Sequence, residues 1–231
     1  MSRFRQIKKD VRNILAAEDW QDRLTELDAW APGLLAPPLF SLRLDRDENV
    51  RWRAVVAFGM TAARMAEAGM EKARVLMRTC MWYMNEESGN LGWGIPEFMA
   101  EAMARHERLA REFHTILASY IYCDEKCDGN FLDHPELRRG VLWGLGRLAQ
   151  VRPELVSQGE RFLIAALDED DPYNRGYAAW TLGILGATEA RPALKALYGD
   201  AREIRLFDQG QIMDVTVETL ARQAAESLGL K

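Results

Sequence analysis

Arg51, Arg138 and Arg175 open the same short pattern three times. Each is followed by a small or apolar residue at the third position (Ala54, Val141, Ala178) and by glycine at the eighth (Gly59, Gly146, Gly183). Gly94 and Thr216 stand in the anchor place of two weaker copies, giving steps of 43, 44, 37 and 41 residues. A unit of this kind cannot bury its apolar face alone and must stack on its neighbours, so the repeat constrains the architecture more than any single motif does. At about 100° per residue, positions −1, +3, +6, +7 and +10 fall on one side of a helix. In the third copy these are Leu137, Val141, Gly144, Leu145 and Leu148, an apolar stripe that includes a glycine.

The chain predicts helix pairs. Residues 1–32 form an N-terminal cap without the pattern, with Asp19 as the N-cap of its second helix. Repeats then follow over 33–68, 70–105, 107–150, 153–186 and 190–229. Within them, a first helix at 33–44, 70–84, 107–122, 153–167 and 190–198 precedes a second at 49–68, 96–105, 135–150, 172–185 and 214–228. Asp171 followed by Pro172 is an N-cap with proline at the first helical position. No Asn-Gly between alternating apolar runs signals a hairpin. The expected fold is therefore all-α: one α-α superhelix of about five helix pairs spanning 1–231.

A step near 40 residues lies in the range of HEAT and armadillo units rather than the shorter ankyrin or tetratricopeptide ones. The segment Asp47-Glu48-Asn49-Val50-Arg51 leading to Ala57-Phe58-Gly59 resembles HEAT-like repeats of the phycobilisome-lyase type. So do residues 134–146 and 170–186, the latter ending Leu182-Gly183-Ile184-Leu185-Gly186. The resemblance covers about residues 35–229 and is stronger in the first, third and fourth repeats than in the second and fifth. It implies the superhelix but no lyase activity, because this repeat serves many functional classes. Gly92-Trp93-Gly94-Ile95-Pro96-Glu97 and Gly129-Asn130-Phe131-Leu132 are similar to segments of uncharacterised bacterial HEAT-like proteins, a likeness that carries no function.

Positions +1 and +5 from each anchor point away from the apolar stripe, yet Trp52, Trp143 and Trp180 occupy them, with Arg139 and Tyr177 beside them. In a curved solenoid the second helices line the concave wall, where aromatic and arginine side chains are common binding anchors. Packing of these indoles in the seams between helices is the competing account. Three connections within helix pairs, 85–95, 123–134 and 199–213, exceed the usual 2–8 residues and would emerge on one edge, where repeat proteins often place function. Trp93 lies in the first of them.

Residue types for chemistry are sparse. Cys123 and Cys127, three residues apart, with His134 beyond, have the ligand types for zinc, and Cys80 or His114 would complete four, but only one spaced pair exists. Asp124, Asp128, Asn130 and Asp133 make an oxygen-rich loop without the EF-hand order. Glu97 and Glu101, one helical turn apart, can act as acid and base where their environments differ, although such pairs are commonplace on exposed helices. HEAT-like iron hydroxylases use paired His-Glu dipeptides, and only His106-Glu107 occurs here. A net charge of −5 argues against the nucleic-acid work of HEAT-like DNA glycosylases. Three cysteines, no apolar leader and no apolar run of membrane length read as a reduced cytoplasmic protein. The expectation is a non-enzymatic scaffold without a cofactor. It would bind a protein partner through the concave face and the long connections, using Trp52, Trp93, Arg139, Trp143, Tyr177 and Trp180. The alternative is a metal-binding protein or enzyme with its site at those connections.

Overall fold

The computed structural model describes residues 2–85, 92–123 and 129–229. They group into two compact units, Met1–Ala110 with Gln209–Gln211, and Arg111–Asp208 with Ile212–Lys231. The first holds α1 (Arg3–Ala16), α2 (Trp20–Arg23), α3 (Pro32–Leu42), α4 (Glu48–Ala68), α5 (Met70–Met84), α6 (Ile95–Arg105) and the start of α7 (Glu107–Ser119). The second continues with α8 (Pro135–Ala149), α9 (Pro153–Val156), α10 (Glu160–Ala166), α11 (Pro172–Leu185), α12 (Arg191–Ala196), strands β1 (Glu203–Asp208) and β2 (Gln211–Thr216), and α13 (Val217–Ser227). Among the described residues no helix is long and apolar enough to cross a membrane.

The three anchor arginines occupy equivalent places. Each lies four residues after the residue that opens its helix, respectively Asp47, His134 and Asp171. Each sends Nη1 to the main-chain carbonyl six residues upstream: Arg51 to Asp45 (3.0 Å), Arg138 to Leu132, Arg175 to Glu169. The turn before the helix is thereby tied to its first turn. Asp47 and Asp171 cap the same helices with their side chains, accepting from the Asn49 amide (2.9 Å) and from the Tyr173 and Asn174 amides (3.0 and 3.2 Å). Gly94 and Thr216 prove to be N-caps, not anchors, so the structural copies of the arginine in those repeats are Phe98 and Leu220. Asp19 stands at the predicted N-cap of α2 but makes no capping hydrogen bond.

The eighth-position glycines are crossing points. A Cβ on Gly59 would lie 2.9 Å from the Glu101 backbone of α6. On Gly146 it would lie 2.3 Å from the Trp180 ring of α11, and on Gly183, 2.8 Å from Ala224 Cα of α13. So α4 packs on α6 in the first unit, and α8 on α11 and α11 on α13 in the second, each helix reached through the glycine of the one before. Their apolar stripes supply the core: Val50, Ala54 and Phe58 in α4, Val141, Leu145 and Leu148 in α8, Ala178 and Leu182 in α11.

The predicted long connection at 199–213, and the start of the helix expected from 214, form an antiparallel hairpin instead. Gln209 and Gly210 both take positive φ (49° and 84°), the conformation a two-residue hairpin turn requires. Ile204 and Leu206 alternate inward against exposed Glu203 and Arg205. The turn pair is Gln-Gly rather than Asn-Gly, which is why the expected signal was missing from the sequence.

Replacing Gly183 by alanine forces α11 off Ala224, and we expect a loss of about 1–3 kcal/mol in urea unfolding. Gly33→Ala, where a Cβ meets nothing within 4 Å, should change stability by less than about 1 kcal/mol.

Candidate functional site

The first unit contains a cleft of about 400 Å³, at the small end of ligand-site volumes. Its back wall begins with Arg43, at the end of the apolar helix α3 and only 7% exposed. The guanidinium donates to the Phe40 carbonyl and, through Nε, to the Trp93 carbonyl at 2.8 Å, and its Cζ lies 5.1 Å over the Tyr83 ring. Gly94 makes this possible. Its φ of 73° turns the chain ahead of α6, and a Cβ there would come within 3.2 Å of Arg43 Cβ. The Gly-Trp-Gly segment is thus a joint that docks Trp93 onto α3. Behind it Phe40, Phe58 and Phe98 form an aromatic cluster, with Phe58 and Phe98 stacked at 4.1 Å.

Trp52 and Val55 of α4, Trp93, and Glu97 of α6 face the cleft, which Asp45, Glu48 and Arg51 also line. Both indoles are half-buried. The charged groups have different degrees of freedom. Arg51 donates to the Asp45 and Arg46 carbonyls, and its Nη2 lies 3.7 Å from Glu48. Asp45 receives Arg12 at 2.8 and 3.0 Å, and that hydrogen bond holds its carboxyl below the usual carboxylate range. Glu97 differs: its Oε2 is buried without a hydrogen-bond partner. Burial pushes its carboxyl up to about 7, against the opposing pull of its own backbone amide and of Arg43. One turn on, Glu101 is 2% exposed and bonded to Arg105 Nε at 2.6 Å. Of the pair expected on an exposed face, Glu101 is therefore buried and Glu97 half-buried, and the two carboxyls have unlike surroundings.

The structure divides the predicted aromatic stripe. Trp52 and Trp93 share the cleft. Trp143, 2% exposed, and Tyr177, 3% exposed, do not form a binding surface. Trp143 Nε1 donates to the Phe207 carbonyl at 2.8 Å, and the Tyr177 hydroxyl to the Arg205 carbonyl at 2.5 Å. These carbonyls are two residues apart on β1 and so lie along one edge. Gly176 leaves room for Ile204, whose Cδ1 would stand 2.3 Å from a Cβ there. The off-core positions of α8 and α11 thus hold the hairpin. Trp180, half-buried, packs its ring on Gly146, which is the seam arrangement. Arg139 is ion-paired with Asp171 at 2.5 Å and stacked over Tyr173 at 4.4 Å.

Of the candidate metal ligands, Cys127 lies outside the described residues, as do Asp124 and Asp128 and most of the 85–95 connection. Against the expectation of reduced cysteines, Cys123 is disulfide-bonded and so offers no thiolate as it stands. His134 is exposed at the start of α8, and His114 is half-buried on α7. Cys80 is a free, buried thiol of the first unit, pushed up by burial. Among the described residues no three His, Cys, Asp or Glu side chains gather as a metal site.

These features define a helical-repeat protein. Residues 135–185 match the HEAT-like repeat family, and not specifically its phycobilisome-lyase type. The chain is similar to the solved structure of the designed armadillo repeat protein YIII(Dq)4CqI (17% identity, 95% of this chain and 98% of that one, TM-score 0.53). It is also similar to computationally designed armadillo repeat proteins for modular peptide recognition (16%, 94% and 98%, 0.50) and to an engineered protein solved by the Northeast Structural Genomics Consortium (14%, 97% and 96%, 0.52). Comparison with curated proteins gives no match. At these identities the likeness shows the fold, a helical-repeat solenoid, here with a two-stranded sheet near its C-terminus.

Two outcomes follow from this geometry. Trp143→Phe keeps an aromatic ring, though a smaller one, and removes the indole N–H that the Phe207 carbonyl accepts, and should cost about 1–3 kcal/mol in chemical unfolding. Glu97 binds its proton more tightly folded than unfolded, so its contribution to stability is whole below the ordinary carboxylate pKa near 4.5 and is lost as pH rises through about 7. Wild type should therefore weaken between pH 5 and 8 relative to Glu97→Gln, by on the order of 2 kcal/mol, measured by urea unfolding across that range.

Proposed function

We propose that this chain is a non-enzymatic interaction scaffold that holds a protein partner at the cleft between Trp52 and Trp93. Repeat folds of this type commonly serve protein–protein recognition, and the similar computationally designed armadillo repeat proteins are for modular peptide recognition. The observation that carries the reading is a small cleft flanked by two half-buried indoles over a carboxyl oxygen without a partner. Aromatic side chains at the centre of a partly enclosed pocket are typical of the few residues that dominate interface energy. The rest of the predicted surface contributes differently: Arg139 is committed to Asp171, and Trp143 and Tyr177 to the hairpin.

The test is affinity capture from the source cell with wild type and with Trp52→Ala/Trp93→Ala as bait, both checked for helicity by circular dichroism. A protein retained by wild type and depleted at least about tenfold on the double variant, a loss of roughly 1.4 kcal/mol, supports the reading. Retention of the same partners by both baits overturns it.

A further inference from the structure

We infer that the Trp52–Trp93 cleft receives the ammonium group of a lysine side chain, with Glu97 as its counter-charge and the two indoles as its walls. The assignment rests on the scaffold reading only for the source of the lysine, a segment of the partner protein.

A buried acceptor without a donor costs roughly 1–3 kcal/mol, and a ligand that brings a donor recovers it. Glu97 Oε2 is such an acceptor. The other ionic groups lining the cleft are engaged. Arg43 turns its guanidinium to the Phe40 and Trp93 carbonyls and the Tyr83 ring, and Arg51 turns to the carbonyls of Asp45 and Arg46. Asp45 is held by Arg12. An anionic guest would have to displace those main-chain bonds to gain a donor, whereas a cationic guest displaces none of them to meet Glu97, which lines the cleft. Indole faces attract a cation, and Val55 with the rings gives apolar cover for a lysine stem while its head reaches the carboxyl. One unpartnered oxygen suits the point charge of an ammonium better than the two-pronged guanidinium, which takes both oxygens of a carboxylate.

The charged and titratable groups around Glu97 are Arg43 at the C-cap of α3, Asp45 in the turn after it, Glu48 and Arg51 on α4, Cys80 and Tyr83 on α5 beside Arg43, and Glu101 along α6. Asp45, held down by Arg12, and Cys80, pushed up by burial, keep their charge states between pH 6 and 8. Glu97 titrates within that window.

The experiment titrates the full chain, ¹⁵N-labelled, with N-acetyl-Gly-Lys-Gly-amide and follows the indole N–H resonances. Trp52 and Trp93 should shift in fast exchange with a millimolar Kd, tighter at pH 8 than at pH 6 by about tenfold as Glu97 goes from roughly one-tenth to nine-tenths ionised. Glu97→Gln should abolish the shifts without lowering the melting temperature. Peptides carrying Nε-acetyl-lysine or glutamate in the same place should leave both indoles unmoved. Equal binding of the acetylated peptide, tighter binding of an arginine peptide, binding that survives Glu97→Gln, or binding that weakens from pH 6 to 8 would each overturn the assignment. Failure of the lysine peptide alongside partner loss on Trp52→Ala/Trp93→Ala removes the ammonium site and leaves the scaffold. Lysine binding with no partner lost on that variant supports the site and removes the scaffold.

Discussion

The joint between an anchor arginine and the carbonyl six residues before it organises each well-formed repeat. A helix start leaves backbone amides unsatisfied and a preceding turn leaves carbonyls exposed. Asp47 and Asp171 answer the first need, and the arginines answer the second from the first turn of the same helix. In the second unit the joint also reaches onward. Arg138 bonds the Glu169 carboxylate at 2.6 Å, the carbonyl of Glu169 accepts from Arg175, and Arg175 meets Asp200 at 2.9 Å. Arg138 and Arg175 are 7% and 5% exposed, so removing one carboxylate would strand a buried cation, which costs several kcal/mol. These bonds set the geometry of the turn more than they add net stability.

Eight residues past the anchor arginine a glycine lets the neighbouring helix close in, and that pairing explains why arginine and glycine recur together at fixed spacing. The arginine orients the helix start and the glycine, two turns on, admits the next helix. Both requirements are local to one helix and repeat with it, so both were visible in sequence. The same holds for the proline-led start at Pro172. Gly94 and Thr216 misled because they share the glycine-rich or polar look of a repeat start, but they sit at the cap, four residues ahead of where the arginine would be.

What periodicity could not supply was the identity of whatever covers the off-core side. It placed Trp52, Trp143 and Trp180 away from the stripe, and their fates differ. Trp143 and Tyr177 tie down β1 by two carbonyls on one edge, leaving no outward-facing acceptor at Arg205 or Phe207 for another strand. That contact joins residues 64 positions apart and rests on a hairpin whose Gln-Gly turn carries a weak signal. Arg43 was equally hidden. It is a single cation ending an apolar helix, without a repeated copy, and its partners, Trp93 and Phe40, are main-chain carbonyls that sequence does not mark.

The contrast between the two units bears on why the cleft exists at all. In α8 and α11 the outward positions are filled, by indole and phenol under the strand pair and by glycine where Ile204 seats. In α4 the position matching Gly176, Trp52, lines a space, and a carboxyl rather than an aliphatic lines it from α6. A leucine in place of Glu97 would continue the apolar run of Ile95, Phe98 and Met99 and avoid the cost of a buried, unpaired acceptor. Local packing alone does not account for a glutamate there. The proposed lysine would repay that cost, and Trp52 and Trp93 line the space through which it would come.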